Sequence, residues 1–268
     1  MQAVRTQLGL TPDTELIGLM PGSKKDKLDL GVPFLLAVAE KVQSARPQTR
    51  FVIPVAPMLS LESLAAFADA SRNPYIGLIE GTTAELVQGD AVSCLRTSGG
   101  TEIYLWQGHP AYDLMAQFEL CLTTIGANTA ELGSLGIPML VLLPTQKLDV
   151  MKAWDGIPGI LSNLPLVGNQ FAKLINLLAL RAIFKEGRLF AWPNIWAKRE
   201  VVPEMIGRIT PQEIADRVLD YLTHREKLEA IRQDLQAVRG EPGAAAKLAD
   251  LVLETVDYRK ELEIGNSQ

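Results

Sequence analysis

Residues 124 to 143 read TIGANTAELGSLGIPMLVLL, and the apolar run LCLTTIG leads into them from Leu120. An apolar strand, a glycine, a short helix and a second apolar strand follow one another with no room for a longer connection, which is the rhythm of a parallel sheet with crossover helices. Gly126, Asn128, Thr129 and Glu131 sit where the strand hands over to the helix. Backbone N–H groups point outward unpaired at such a place, and it suits an anion. Gly126 allows close backbone approach, and the Glu131 carboxylate can accept both hydroxyls of a ribose. A plain capping arrangement fits the same spacing, with Asn128 as N-cap and Glu131 three residues on in a capping-box position.

Outward from this stretch the same alternation recurs. ELIGLM (15–20) is a strand ending in Pro21-Gly22-Ser23, and GVPFLLAVAEKVQSA carries apolar residues at helical spacing. RFVIPVA (50–56) is the next strand, SLESLAAFADASR (60–72) a helix with Ser60 as cap, and YIGLIE (75–80) a third strand. TTAELVQG reads as a short helix, AVSCLRT as a strand, EIYLWQG as a strand or extended loop, and AYDLMAQF as a helix. The tetrapeptide TAEL occurs at 83–86 and 129–132, each time expected to open a helix after a glycine. A doubly wound parallel α/β sheet, Rossmann-like, is the economical solution, because crossover helices cover both faces.

After Pro144 the pattern changes. Residues 145–209 read as an irregular insertion holding the apolar helix FAKLINLLALRAIF (171–184), and no simple strand periodicity survives there. From Thr210 the chain is helical, with Thr210 as N-cap, Pro211 at the first helical position and Glu213 completing a capping box. The expected organisation is a nucleotide-binding domain over 1–209 and a C-terminal helical annex over 210–268 packed on it.

Among 268 residues, 26 Lys+Arg against 31 Asp+Glu give a net charge of −5, which argues against a broad nucleic-acid footprint. Cys94 and Cys121 both lie in apolar runs, as buried free thiols of a reducing cytoplasm would. No secretory signal pattern precedes the first strand and no apolar stretch reaches the ~18 residues of a membrane span. The helix at 171–184 carries Lys173, Asn176 and Arg181 and leaves two readings open, a buried core helix or a contact with a membrane surface. There is no GxxxxGK(S/T), GxGxxG or GxSxG, and His109 and His224 stand apart from each other and from both cysteines. Neither a metal site nor a dinucleotide cofactor is expected.

Two further stretches invite a ligand. LMPGSKKDK places Gly22 and Ser23 directly after the first strand, followed by Lys24, Lys25 and Lys27, so backbone N–H groups and cations meet at one turn. FAWPNIWAKREVVPEM gathers Trp192, Asn194, Trp196, Lys198 and Arg199. Such a set can hold a sugar nucleotide by stacking and hydrogen bonds, or it can simply pack under the C-terminal helices with Arg199 pairing a local acid.

In this order the three stretches resemble the C-terminal, nucleotide-binding half of lipid-A-disaccharide synthase, a GT-B glycosyltransferase. The family's LLPGSR loop is matched by Leu19, Met20, Pro21, Gly22, Ser23 and Lys24. Its SGTATLE turn and PMVV strand are matched by Gly126, Thr129, Glu131 and the run from Pro138 to Val141. Its LPNLLAGRxxVPELLQ segment is matched by Pro193, Asn194, Arg199, Val202, Pro203, Glu204 and Met205. The resemblance covers roughly residues 8 to 255.

What it implies is transfer of a sugar from a UDP-sugar to a lipid-linked acceptor, in the cytoplasm at the membrane surface, with no metal or other cofactor. Gly22, Ser23 and Lys24 would lie near the diphosphate and Gly126, Asn128 and Thr129 at the second phosphate-facing turn. Glu131 would meet the ribose, and Asn194 and Arg199 the donor. A homodimer through the C-terminal helices is also implied. Lys24 stands for the family arginine and loses its bidentate geometry, while Ile125 and Ala127 stand for a serine and a threonine. The family's acceptor-binding half, with its candidate general base, is not matched, so no catalytic residue is named. A donor-binding part working with another chain and a non-catalytic interaction or membrane-surface protein of the same fold are the competing expectations.

Overall fold

β1 (Glu15–Met20) is buried at every position, as befits a continuous apolar strand with neighbours on both sides and helices over both faces. The computed structural model describes residues 2–146, 187–240, 243 and 246–255. The apolar helix expected at 171–184 and most of the insertion around it lie outside the described residues. One compact unit spans Met1–Val238 and a second spans Arg239–Gln268.

The first unit opens with α1 (Gln2–Gln7), and β1 follows. Next come α2 (Lys25–Ala45), β2 (Thr49–Pro54) and α3 (Leu61–Ala66). A 3-10 turn (Gly77–Ile79) then leads to β3 (Ala84–Val87), β4 (Cys94–Thr97) and β5 (Glu102–Trp106). After these come α4 (Tyr112–Met115), β6 (Leu120–Thr124), α5 (Ala127–Leu135) and β7 (Met139–Pro144). The unit ends with α6 (Trp192–Ala197), β8 (Glu204–Gly207), α7 (Pro211–Thr223) and α8 (Arg225–Val238).

The eight strands form one sheet in the order β3-β4-β5-β2-β1-β6-β7-β8. From β5 to β8 the neighbours are parallel, whereas β4 runs antiparallel to both β3 and β5. The Rossmann-like α/β class is therefore correct, and the wholly parallel sheet is corrected at one edge. The chain leaves β1 towards β2 and later returns to β1's other side with β6, so right-handed crossovers put α2 and α5 on opposite faces.

Three local expectations change. YIGLIE is a turn and not a strand, with Ile76 and Ile79 buried three residues apart and Leu78 turned to solvent. TTAELVQG supplies β3 and not a helix, because Ala84–Val87 find backbone partners in β4. EVVPEMIGR, which shows no strand period, supplies β8 as the parallel neighbour of β7. The caps at Ser60 and Thr210 are as read, the second a complete capping box.

Close approaches explain several residue choices near the sheet centre. A Cβ on Gly18 would stand only 2.2 Å from the Phe118 ring, so β1 admits glycine alone at that point. Pro33 lies inside α2 and leaves the Asp29 carbonyl without its helical N–H. The buried Asn73 amide donates to that carbonyl at 2.6 Å and to the Phe67 carbonyl at 2.7 Å, which restores the missing bond. α7 covers α2 with Ile214, Ala215, Val218 and Leu222, the apolar stripe of an amphipathic helix.

The second unit, taken by itself, has a helix over residues 246–255 on which Leu248, Leu251, Val252 and Leu253 are exposed. No helix among the described residues is long and apolar enough to cross a membrane.

Candidate functional site

Where the sheet reverses its strand order, between β1 and β6, the loops leaving the two strands diverge and open a crevice at their carboxyl ends. A cleft of about 460 Å³ occupies this place. Gly22 and Ser23 line it from the turn after β1, and Val55, Ala56 and Pro57 from the loop after β2. His109 and Pro110 line it from the loop after β5, and Asn128 and Glu131 from α5. The side chains of Ser23, Asn128 and Glu131 make no hydrogen bond or ion pair among the described residues.

The turn after β1 is tight because Gly22 has φ +102 and because Gly31 in α2 lets Pro21 sit against the helix. Lys24 is the N-cap residue of α2, extended and exposed, and is not among the cleft-lining residues. Lys25 pairs with Asp29 one helical turn on, at 2.8 Å. The turn after β6 is held differently. Gly126, and not Asn128, is the N-cap of α5, and no side chain caps this helix. The Gly126 carbonyl accepts both the N–H and the hydroxyl of Thr129, at 3.1 and 2.9 Å. The Thr129 hydroxyl in turn accepts the Trp192 N–H at 3.1 Å and is fully buried. Thr129 thus fastens the start of α6 to the start of α5.

The third stretch is mostly scaffold. Asn194 is fully buried, and its amide donates to the Val202 carbonyl and to Glu204, while its oxygen accepts the N–H groups of Val201 and Val202. All of its hydrogen-bonding capacity is spent inside the protein. Glu204 also takes the N–H groups of Phe190 and Ala191. Arg199 pairs with Asp234 on α8 at 2.7 Å, the local-acid arrangement. The rings of Trp192 and Trp196 lie 6.0 Å apart and, with Ile195, are a little under half exposed.

The structure therefore brings Gly22, Ser23, Asn128 and Glu131 to one cleft, with Gly126 and Thr129 behind the turn, and leaves Lys24, Asn194 and Arg199 off its wall. Sequence reasoning passed over two residues that shape the site. Lys27, noted only as part of a cationic loop, donates to the Ile125 carbonyl at 2.7 Å and joins the two turns. His109, noted in the sequence only as standing apart from other ligand types, is exposed and lies on the cleft wall. Cys121 in β6 is no nucleophile, since burial, with a smaller push from Glu131, holds its thiol well above the usual range. No group of three or more His, Cys, Asp or Glu that could hold a metal ion occurs among the described residues.

A mostly parallel sheet with its cleft at the switch point between β1 and β6 defines the Rossmann-like class. Within that class the chain is similar, over nearly its whole length, to lipid-A-disaccharide synthases, as its three motifs suggest. The enzyme of that name from Anaeromyxobacter dehalogenans is 26% identical over 256 residues, 94% of this chain and 52% of the relative. That from Gloeothece citriformis is 24% identical over 258 residues, 96% and 53% of the two chains. This chain spans about half the length of the curated relatives it matches, their C-terminal half. No family model matches. Among solved structures, the C-terminal CMP-Kdo binding domain of WaaA from Acinetobacter baumannii aligns with 90% of this chain and 96% of its own, at 11% identity and a TM-score of 0.44.

Proposed function

We propose that this chain is the donor-binding part of a glycosyltransferase of the lipid-A-disaccharide synthase type, holding a UDP-sugar in the cleft for transfer to a lipid-linked acceptor. The observation that carries this reading is the meeting of Gly22, Ser23, Asn128 and Glu131 on one cleft wall, from motifs far apart in sequence. The diphosphate lies over the turns after β1 and β6, with Lys24 at the mouth, and the Glu131 carboxylate accepts the ribose hydroxyls. Gly126 and Thr129 shape the second turn. Asn194 acts on the donor at one remove, by holding residues 201–204, whereas Arg199 is spent on its exposed pair with Asp234 and takes no part in holding the donor.

The chemistry is direct displacement at the anomeric carbon, in which the acceptor hydroxyl forms the new bond as UDP leaves. Helix N-termini and lysines stabilise the charge that develops on the diphosphate. The acceptor hydroxyl loses its proton to a base that is not assigned to any residue of this chain. The reaction is assigned to the cytoplasmic face of a membrane, and a homodimer to the exposed leucines of residues 246–255. Calorimetric titration with UDP and UDP-sugars is the test. Saturable heat is expected, and its absence at about 1 mM ligand with folded protein overturns the reading.

A second reading, a non-catalytic membrane-surface protein, is favoured by the exposed Trp192, Ile195 and Trp196, residue types that settle at lipid interfaces. Flotation with anionic liposomes, abolished by Trp192→Glu with Trp196→Glu, together with no UDP binding, would put it in first place.

A further inference from the structure

Two turns face the cleft, and one side chain runs between them. Lys27 stands in the first turn of α2, half-buried, and its Nζ reaches the Ile125 carbonyl at 2.7 Å, directly before Gly126. The glycines of both turns clear its path. A Cβ on Gly22 would stand 3.1 Å from Lys27 Cβ and Cδ, and one on Gly126 would stand 3.3 Å from Nζ. Any side chain at either position would press on the lysine. Its neighbours in the KKDK run are placed otherwise, Lys24 in the exposed N-cap position and Lys25 against Asp29. Lys27 instead reaches across from the turn after β1 to the turn after β6.

We propose that Lys27 is a positioning residue of the cleft, fixing the distance between the turn after β1 and the turn after β6 so that both present their backbone donors to one nucleoside diphosphate. The assignment rests on the nucleotide reading of the cleft. An anion held by two loops is bound well only if their spacing is set before it arrives, because ordering them on binding costs affinity. β1 and β6 are paired along the sheet, but their loops diverge beyond Met20 and Thr123, where the ladder ends. The ammonium bridges that gap and adds a positive charge beside the donors. A neutral apolar side chain would leave the Ile125 carbonyl without its lysine partner and let the turns drift.

The test compares UDP and uridine binding to the full chain in the wild type, Lys27→Met and Lys27→Arg, with circular dichroism to check folding. The wild type is expected to bind UDP more tightly than uridine. Lys27→Met is expected to lower UDP affinity about tenfold and leave uridine affinity within about twofold, and Lys27→Arg to recover most of the loss because it keeps the charge and an N–H donor. Equal losses for UDP and uridine would reduce Lys27 to a general structural role and overturn the proposal, as would unchanged UDP affinity. A wild type that binds neither ligand overturns the nucleotide reading itself, a result distinct from both. If Lys27→Met does not fold, Lys27→Gln takes its place, with a loss confined to UDP expected and an equal loss overturning the role.

Discussion

At the edge where the strands begin, Glu15 is buried beneath Arg46, Arg225 and Thr49, with guanidinium nitrogens at 2.6 and 2.9 Å. Arg232 reaches Glu119 beside it and extends the network along α8. At the edge where the strands end, Ser23, Asn128 and Glu131 face the cleft without a partner among the described residues. The first edge uses its charges to hold α2 and α8 to the sheet. The second leaves polar groups open to solvent, where a ligand can supply their partners.

The largest effect should come from a residue whose bonding belongs with the saturated edge although its motif points to a ligand. Asn194→Ala should cost about 3 kcal/mol in urea denaturation, because it strips partners from the buried N–H groups of Val201 and Val202 and from Glu204. A small loss would return Asn194 to the ligand side of the comparison.

Glu15→Gln should cost about 2 kcal/mol through its weakened bonds to Arg46 and Arg225. Hydrogen bonding from Arg46, helped by Arg225 and Thr49 and opposed by burial, holds the Glu15 carboxyl below its ordinary value. A depressed carboxyl contributes stability that is complete above the unfolded value of about 4.3 and is lost as pH falls through the folded one. Acid unfolding of Glu15→Gln should accordingly be shallower than that of the wild type below about pH 4.

On the open edge, Glu131→Ala should leave the unfolding free energy within about 0.5 kcal/mol and lower UDP affinity about tenfold. Unaltered affinity would make the acid an ordinary member of a helix end. The smallest effect is expected for Arg199→Ala, since Arg199 and Asp234 are both about half exposed and their pair is screened. UDP affinity and melting temperature should both stay at wild-type values.

TAEL shows what was legible and what was not. At 129–132 it lies in α5, and at 83–86 its last three residues run in β3. A tetrapeptide carries too little preference to choose, and the backbone partners offered by β4 decide the second case. YIGLIE failed for a related reason, because a short apolar run with buried residues three apart serves a turn as well as a strand. Longer or capped elements were readable: β1, β2, β6 and β7 as continuous apolar runs, and α7 from its capping box.

The candidate site divides in the same way. Gly22, Ser23, Asn128 and Glu131 were legible because motif chemistry is local, a glycine-opened turn before a helix. The internal role of Asn194 and the reach of Lys27 were not legible, because both depend on which atoms surround them. Asn194 makes four internal hydrogen bonds, and Lys27 crosses from one turn to another.

By itself the sequence determined the α/β class, the turns and their acids, since periodicity, caps and glycines act over a few residues. Tertiary structure alone decided the antiparallel edge, the meeting of the two turns at the switch point and the lysine between them. Those features come from hydrogen bonds and close packing between segments distant in sequence, on which no local preference bears.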